Sequence, residues 1–93
     1  MSITFTNRVR VSPDVLVSSM DGESVLLNLQ SETYFGLDEV GTRMWNALTG
    51  AESLQAAFDV LAAEYEVEPD QLRHDLEQLV NKLAEQGLLE IER

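Results

Sequence analysis

The stretch that decides the fold is residues 24–48, which read SVLLNLQSETYFGLDEVGTRMWNAL. Its first part predicts a strand over residues 24–29, in which Val25, Leu27 and Leu29 share one face. After a polar loop, residues 33–37 are rich in β-forming residue types and predict one more strand. The apolar period then changes from 2 to 3.6. Asp38 is placed to cap a helix that begins at Glu39, so a strand pair is expected to run directly into a helix.

Towards the N-terminus the pattern remains that of strands. Residues 15–20 are a strand-like run that ends at Asp21-Gly22, a dipeptide that accepts positive φ in a two-residue hairpin turn. Residues 8–11 alternate and then meet the turn signal Ser12-Pro13-Asp14, which predicts one more short strand. The expected result is an antiparallel meander of about three strands.

Towards the C-terminus three helices are predicted. Gly50 stands where a C′ glycine would end the first helix. Ser53 caps the second helix, Pro69 opens the third and Gly87 ends it. Residues 88–92 have the composition of a short final strand. The predicted fold class is α+β: a winged helix-turn-helix-like arrangement with a three-stranded antiparallel sheet followed by three helices.

The length of 93 residues predicts one domain. Its boundaries are expected at residues 1 and 93, with the strands within about 8–37 and the helices within about 39–87. There is no internal repeat and no linker long enough to divide the chain.

The charge of the chain excludes several classes of partner. It carries 17 acidic and 6 basic residues, a formal net charge of −11. Such a chain is repelled by phosphate backbones and by anionic lipid, so neither nucleic acid nor a membrane is expected as a partner. No signal peptide is visible and no apolar run is long enough to span a bilayer, so the expected location is the cytoplasm.

The residue types that support catalysis are scarce. The chain has no cysteine, which excludes disulfides, thiol nucleophiles and thiolate metal sites. The single histidine, His74, lies off the apolar stripe of the third helix and is expected at the surface, so no common zinc site can form. Glycine-rich phosphate loops and calcium loops are absent from the sequence. The chain is therefore predicted not to be an enzyme and to need no metal or cofactor.

A winged-helix outline also suggests a DNA-binding regulator. A recognition helix brings basic and amide side chains to base edges, and a basic surface to the phosphates. The third helix, residues 69–87, carries four acidic and two basic residues. Its charge therefore disfavours DNA binding, although the outline permits it.

With catalysis and DNA binding disfavoured, the remaining class of function is a domain that binds a peptide. If residues 33–37 form an edge strand, their outer N–H and C=O groups are free to pair with an extended peptide. A third helix near that edge would complete a groove. Tyr34 and Leu37 are assigned to one strand face and to the core, and Phe35 to the other face, as a candidate groove residue.

The run from Val25 to Leu48 resembles the PqqD family. The likeness includes a strand, a short turn, an aromatic-bearing strand, the helix start Leu37-Asp38-Glu39-Val40-Gly41, and Trp45. The C-terminal half is similar as well, and ends with Gly87-Leu88-Leu89. The resemblance covers about residues 10–90.

This resemblance implies a chaperone that binds the leader of a ribosomally made precursor peptide as an added strand and presents the peptide to modifying enzymes. The free-standing lasso-peptide version is favoured, with a leader peptidase and an ATP-dependent cyclase as partners. A chaperone of pyrroloquinoline quinone synthesis, serving a radical enzyme, is the alternative. The predicted peptide-binding residues are Thr33, Tyr34, Phe35, Gly36 and Leu37 on the strand, and Leu76, Val80 and Leu83 on the third helix. Arg73 and Lys82 are assigned to the solvated surface.

Overall fold

The computed structural model describes residues 8–92, and of Glu92 the backbone alone. Along the chain the elements are β1 (Arg8–Val11), β2 (Val15–Met20), β3 (Glu23–Asn28), β4 (Thr33–Leu37), α1 (Glu39–Gly50), α2 (Leu54–Glu64), α3 (Pro69–Glu85) and β5 (Leu89–Glu92). The predicted order of strands, three helices and a final strand is confirmed.

The middle three strands form an antiparallel sheet in the order β2-β3-β4. The hairpin between β2 and β3 turns at Asp21 and Gly22, whose φ angles are 53° and 84°. Two successive positive φ values are what a type I′ turn requires, and this turn matches the right-handed twist of the strands. The Asp-Gly signal in the sequence therefore sets the register of the sheet.

A second, two-stranded sheet joins the two ends of the described chain. Here β1 pairs antiparallel with β5, so that Val9 lies opposite Ile91 and Val11 opposite Leu89. On the exposed side of the same ladder, Arg10 and Glu90 form an ion pair at 2.8 Å. Both strands were expected from the sequence, but their pairing was not, because it joins residues about 80 positions apart.

The helices begin where the sequence predicts. Asp38 accepts a hydrogen bond from the backbone N–H of Gly41 at 2.7 Å, and Ser53 accepts one from Ala56 at 3.1 Å. Pro69 occupies the first turn of α3. The predicted end of α1 was wrong, since the helix runs through Gly50 and Ala51 is its C-cap in an extended conformation. The left-handed conformation that would favour a C′ glycine is therefore not used there.

The core lies between the inner face of the three-stranded sheet and the three helices. Leu26 is its main contribution from the sheet, and it is completely buried. The helices contribute leucines and small residues, among them Leu48, Leu54, Ala57, Leu61, Leu76, Val80 and Leu83. Leu72, Leu76, Val80 and Leu83 of α3 are buried, so this helix turns its apolar stripe towards the core.

One buried polar side chain links the sheet to the end of α3. Asn28 donates from Nδ2 to the backbone oxygen of Gly87 at 3.2 Å and to that of Gln86 at 3.4 Å. Its Oδ1 accepts from the N–H of Gln30 at 3.0 Å, within the turn that leads to β4. The same amide therefore fixes the β3–β4 turn and the C-terminus of α3 relative to each other.

We expect Asn28→Ala to lower the free energy of unfolding by about 1–3 kcal/mol, because it leaves partly buried backbone groups without partners. Urea denaturation followed by the fluorescence of the buried Trp45 measures the change. The exposed Asn46, changed to Ala, is the matched control and should shift stability by less than about 0.5 kcal/mol. Equal effects of the two substitutions would contradict a structural role for the Asn28 amide.

Candidate peptide-binding site

The strand β4 lies at one edge of the three-stranded sheet, and β2 lies at the other. Within the described residues, no strand pairs with the outer side of β4. An edge strand presents unpaired N–H and C=O groups, which are a template for another chain. Among the described strands, residues 33–37 therefore meet the condition on which the peptide-binding hypothesis depends.

One hydrogen bond at the end of the sheet shows which residues of β3 bond to β2 and which bond to β4. The N–H of Leu29 donates to the backbone oxygen of Asp14 at 2.8 Å. Along an antiparallel ladder, opposite residues alternate between pairs that exchange two hydrogen bonds and pairs that exchange none. Because Leu29 belongs to a bonded pair, the odd-numbered residues of β3 bond to β2 and the even-numbered ones bond to β4. Residues 24, 26 and 28 are therefore the bonding partners of Leu37, Phe35 and Thr33, which lie opposite them.

The backbone groups of Tyr34 and Gly36 consequently point away from the sheet. Tyr34 lies opposite Leu27, and Gly36 lies opposite Val25. Neither pair exchanges hydrogen bonds, because the odd-numbered residues of β3 bond to β2. Their N–H and C=O groups supply two donors and two acceptors along the outer edge. An extended peptide can pair with these four groups whichever way its chain runs.

The side chains of β4 divide between two faces, and one predicted assignment is wrong. Leu37 is buried as expected, at 5% exposed, and Phe35 is half-buried and packed against the core. Tyr34, assigned to the core, is 77% exposed. Side chains alternate with a period of two, so positions 34 and 37 cannot share a face, whereas Phe35 and Leu37 do.

The free energy of unfolding tests which face of β4 each side chain occupies. We expect Leu37→Ala to cost about 2–5 kcal/mol of unfolding free energy because it leaves a cavity in the core. Tyr34→Ala should cost less than about 1 kcal/mol, the span of strand propensity at an exposed site. Chemical denaturation of both variants measures this, and a Tyr34→Ala loss as large as that of Leu37→Ala would contradict the observed faces.

The three predicted binding residues of α3 are core residues in this structure. Leu76, Val80 and Leu83 are each 0% exposed. Their side chains offer no surface to a peptide as the helix now lies, so a contact between them and a leader stays a prediction that requires the groove to open. The sequence pattern missed this distinction because the same spacing serves a core stripe and a peptide groove.

The end of α3 nevertheless lies close to the start of β4. Thr33 pairs with Asn28, and the Asn28 amide bonds to backbone oxygens of Gln86 and Gly87. The three side chains Thr33, Phe35 and Leu37 face the same side of the sheet as this link. A peptide paired with the outer edge would therefore turn alternate side chains towards the region of α3.

The outer face of the sheet is apolar: Val25, Leu27 and Leu29 share it, as the sequence predicts, but its exposure to solvent was not predicted. Leu16, Leu27 and Tyr34 lie side by side across the three strands. The exposed members of this outer face are Leu16, Met20, Val25, Leu29 and Tyr34. The signal was present in the consecutive apolar residues 25–27, because a continuous run places apolar side chains on both faces.

The charged side chains that could attract a peptide are engaged or solvated. Arg73 lies 5.4 Å from the centre of the Phe58 ring, and Lys82 is exposed. Arg43 pairs with Glu64 across α1 and α2, and that hydrogen bond raises the pKa of the Arg43 guanidinium above its ordinary value. His74 is exposed as expected.

Other kinds of site find little support. No group of three or more histidines, aspartates or glutamates that could hold a metal ion occurs among the described residues. In the same part of the chain, none of the helices has the length and apolar character needed to cross a membrane. The outer edge of β4 is the feature that the geometry favours.

A large part of the chain matches the model of a known protein family. Residues 23–89, more than half of the chain, match the model of the family described as coenzyme PQQ synthesis protein D (PqqD). None of the curated proteins compared matches the chain.

Two solved structures are similar to this one. The first is TbiB1 in complex with the TbiA(beta) leader peptide, 40% identical, with a TM-score of 0.82 over 87% of this chain and 94% of that protein. The second is lasso peptide synthetase B1 complexed with the leader peptide, 29% identical, with a TM-score of 0.80 over 89% of this chain and 98% of that protein. The similarity covers nearly the full length of both proteins and supports the predicted fold class.

Proposed function

The chain belongs to the PqqD family, and we propose on that premise that it binds the leader segment of a ribosomally made precursor peptide. The observation that carries the proposal is the edge of β4, which no other strand of the described residues covers and where the backbone groups of Tyr34 and Gly36 point outward. A leader adds to this edge as a fourth strand of the sheet, and main-chain hydrogen bonds supply a large part of its affinity.

The lasso-peptide version of this role is favoured over pyrroloquinoline quinone synthesis. The similar solved structures are B1 proteins bound to leader peptides, and one of them shares 40% of its residues with this chain. The domain, taken as residues 1–93, holds the leader in the cytoplasm and presents the remaining peptide to other enzymes. A leader peptidase and an ATP-dependent cyclase are the proposed enzymes, and the domain itself performs no chemistry.

Backbone recognition suits a chain of this charge. Hydrogen bonds to peptide N–H and C=O groups do not depend on the side chains of the leader, so the net charge of −11 does not exclude any peptide outright. Specificity then comes from the accessible side chains that flank the edge: Thr33 and Phe35 on the inner face and Tyr34 on the outer face.

A proline scan of both edges tests the added-strand proposal. Tyr34→Pro removes one outward N–H from β4, and Val17→Pro removes the equivalent N–H from β2, where odd-numbered residues point outward by the same alternation. Proline is tolerated at edge positions whose N–H faces solvent, so both variants should remain folded. Tyr34→Ala and Val17→Ala separate the loss of the side chain from the loss of the N–H.

We expect Tyr34→Pro to bind a fluorescein-labelled leader about tenfold more weakly than Tyr34→Ala, because a lost hydrogen bond in a desolvated interface costs about 1–3 kcal/mol. Val17→Pro should bind within about twofold of Val17→Ala. The probe is the synthetic leader of the precursor encoded in the neighbouring reading frame, and the readout is fluorescence anisotropy. Circular dichroism confirms that each variant is folded.

Two results would contradict the proposal. If the unaltered domain does not bind this leader at concentrations of tens of micromolar, the leader-binding function is wrong. A loss confined to Val17→Pro would assign the peptide to the opposite edge.

Duplex DNA tests the alternative that a winged-helix outline suggests. We expect no anisotropy change with a labelled duplex at low salt, where electrostatic attraction to phosphate would be strongest. The net charge of −11 is the physical reason. Saturable binding to the duplex that weakens as salt is added would instead support a DNA-binding regulator.

A further inference from the structure

A groove runs along α1, between this helix and α2. It consists of two adjoining depressions, of about 420 Å³ and about 330 Å³, which share Arg43 and Asn46 as lining residues. Because α1 has 12 residues, the groove follows about 18 Å of helix. The described residues that line it include none from β4 or α3, so this α1–α2 groove is separate from the proposed leader edge.

The floor of the α1–α2 groove is apolar and made of small residues. Ala47 is buried, Ala56 is half-buried, and Val60 beside them is 46% exposed. A Cβ atom on Gly50 would meet no other atom within 4 Å, and the backbone of Gly50 lies outside the left-handed region. Glycine in a helix is destabilising relative to alanine, so the missing side chain lowers the stability of α1 and keeps this end of the groove open.

The C-terminal end of α1 lies at the groove with its backbone oxygens unpaired. The last four carbonyl groups of a helix have no partner within it. Among the described residues, no backbone N–H from outside the helix bonds to the oxygens of residues 47–50. The last turn of α1 also carries no basic residue, so nothing in the helix offsets the partial negative charge at this end. Gly50 and Ala51 line the groove here, which makes that end attractive to a cation.

The charged side chains at the groove have the same sign. Those that line it in the described part of the chain are Glu39, Glu52 and Arg43. Arg43 is paired with Glu64, which leaves the two lining glutamates without a basic neighbour on the groove. The groove therefore combines an apolar floor with negative charge, from side chains and from the end of a helix.

We propose that the α1–α2 groove is the docking site for a basic amphipathic helix of the proposed ATP-dependent cyclase. The apolar face of such a helix packs on Ala56 and Val60, and its lysine or arginine side chains reach Glu52 and the carbonyl end of α1. An amphipathic helix laid into an apolar groove is a common mode of recognition, and complementary charge selects the partner.

The position of the groove favours the cyclase over the leader peptidase, and this step rests on the proposed function. An enzyme that cuts the leader has to reach the peptide where β4 holds it. An enzyme that acts on the remaining peptide can bind elsewhere on the domain. Since no described residue of β4 lines the groove, the domain can hold a leader and the cyclase at the same time.

Reversal of one charge tests the electrostatic part of the inference. We expect Glu52→Lys to weaken binding of the purified cyclase from the neighbouring reading frame by about tenfold, because it replaces an attraction by a repulsion. Glu66→Lys makes the same change of charge at an exposed position outside the groove, and should stay within about twofold of the unaltered domain. Biolayer interferometry with the full 93-residue chain immobilised measures both.

Filling the groove tests its apolar part. Ala56→Leu places a larger side chain on the floor and should also weaken cyclase binding by about tenfold. Ala62→Leu is the matched control, because it adds the same side chain at an exposed position of the same helix, and its effect should stay within about twofold. Melting temperatures show that each variant is folded, and all four variants should bind the labelled leader within about twofold of the unaltered domain.

The outcomes separate this inference from the function on which it rests. If the cyclase does not bind the unaltered domain, or binds both groove variants within about twofold of their controls, the inference is overturned, while the leader titration still judges the proposed function. An equal loss for Glu66→Lys would assign the attraction to the overall charge and overturn groove docking as well. A loss seen with the purified leader peptidase and not with the cyclase would overturn the choice of partner.

Discussion

The side-chain amide of Asn28 holds the two halves of this structure in place. Sheet and helices are joined by apolar contacts, which are strong but allow the layers to slide, whereas a hydrogen bond specifies position. From the end of β3, Asn28 reaches both the turn that starts β4 and the last residues of α3. Gly87 completes the fit: its φ of +72° favours glycine, and a Cβ there would approach the Asn28 nitrogen to 3.0 Å.

This arrangement fixes the surroundings of the edge strand β4. The strand is tied to β3 on one side, and the end of α3 is fixed near its first residue through Asn28. The outer N–H and C=O groups of Tyr34 and Gly36 thus lie on a strand that is hydrogen-bonded to β3 rather than on a loop. A peptide that pairs with an edge already folded into a sheet does not have to order that backbone as well, so the ordering of the peptide itself is the main entropic cost of binding.

Local signals predicted most of the fold, and non-local pairing, strand parity and the end of α1 were the parts that failed. Asp21-Gly22, Asp38, Ser53 and Pro69 each act within a few residues, so their effects can be read from the sequence directly. The β1–β5 sheet depends on residues about 80 positions apart, and no local pattern specifies that contact. Tyr34 was misplaced because positions 34 and 37 differ by an odd number, which puts them on opposite faces of any regular strand.

For the candidate site, the sequence predicted the strand whose backbone forms it but not which side chains are exposed there, and the reason is physical. β-forming composition followed at once by a helix was enough to predict a strand over residues 33–37, whereas its position at the edge depends on the order of the sheet, which the sequence left open. Burial depends on the whole packed structure: Leu76, Val80 and Leu83 have the spacing of a groove and of a core, and the packing assigns them to the core. A winged-helix domain that recognises DNA depends on a basic exposed helix face. Here α2 and α3 carry more acidic than basic residues, and exposed apolar side chains lie on the outer face of the sheet, so the surface of α3 lacks the charge that DNA recognition needs.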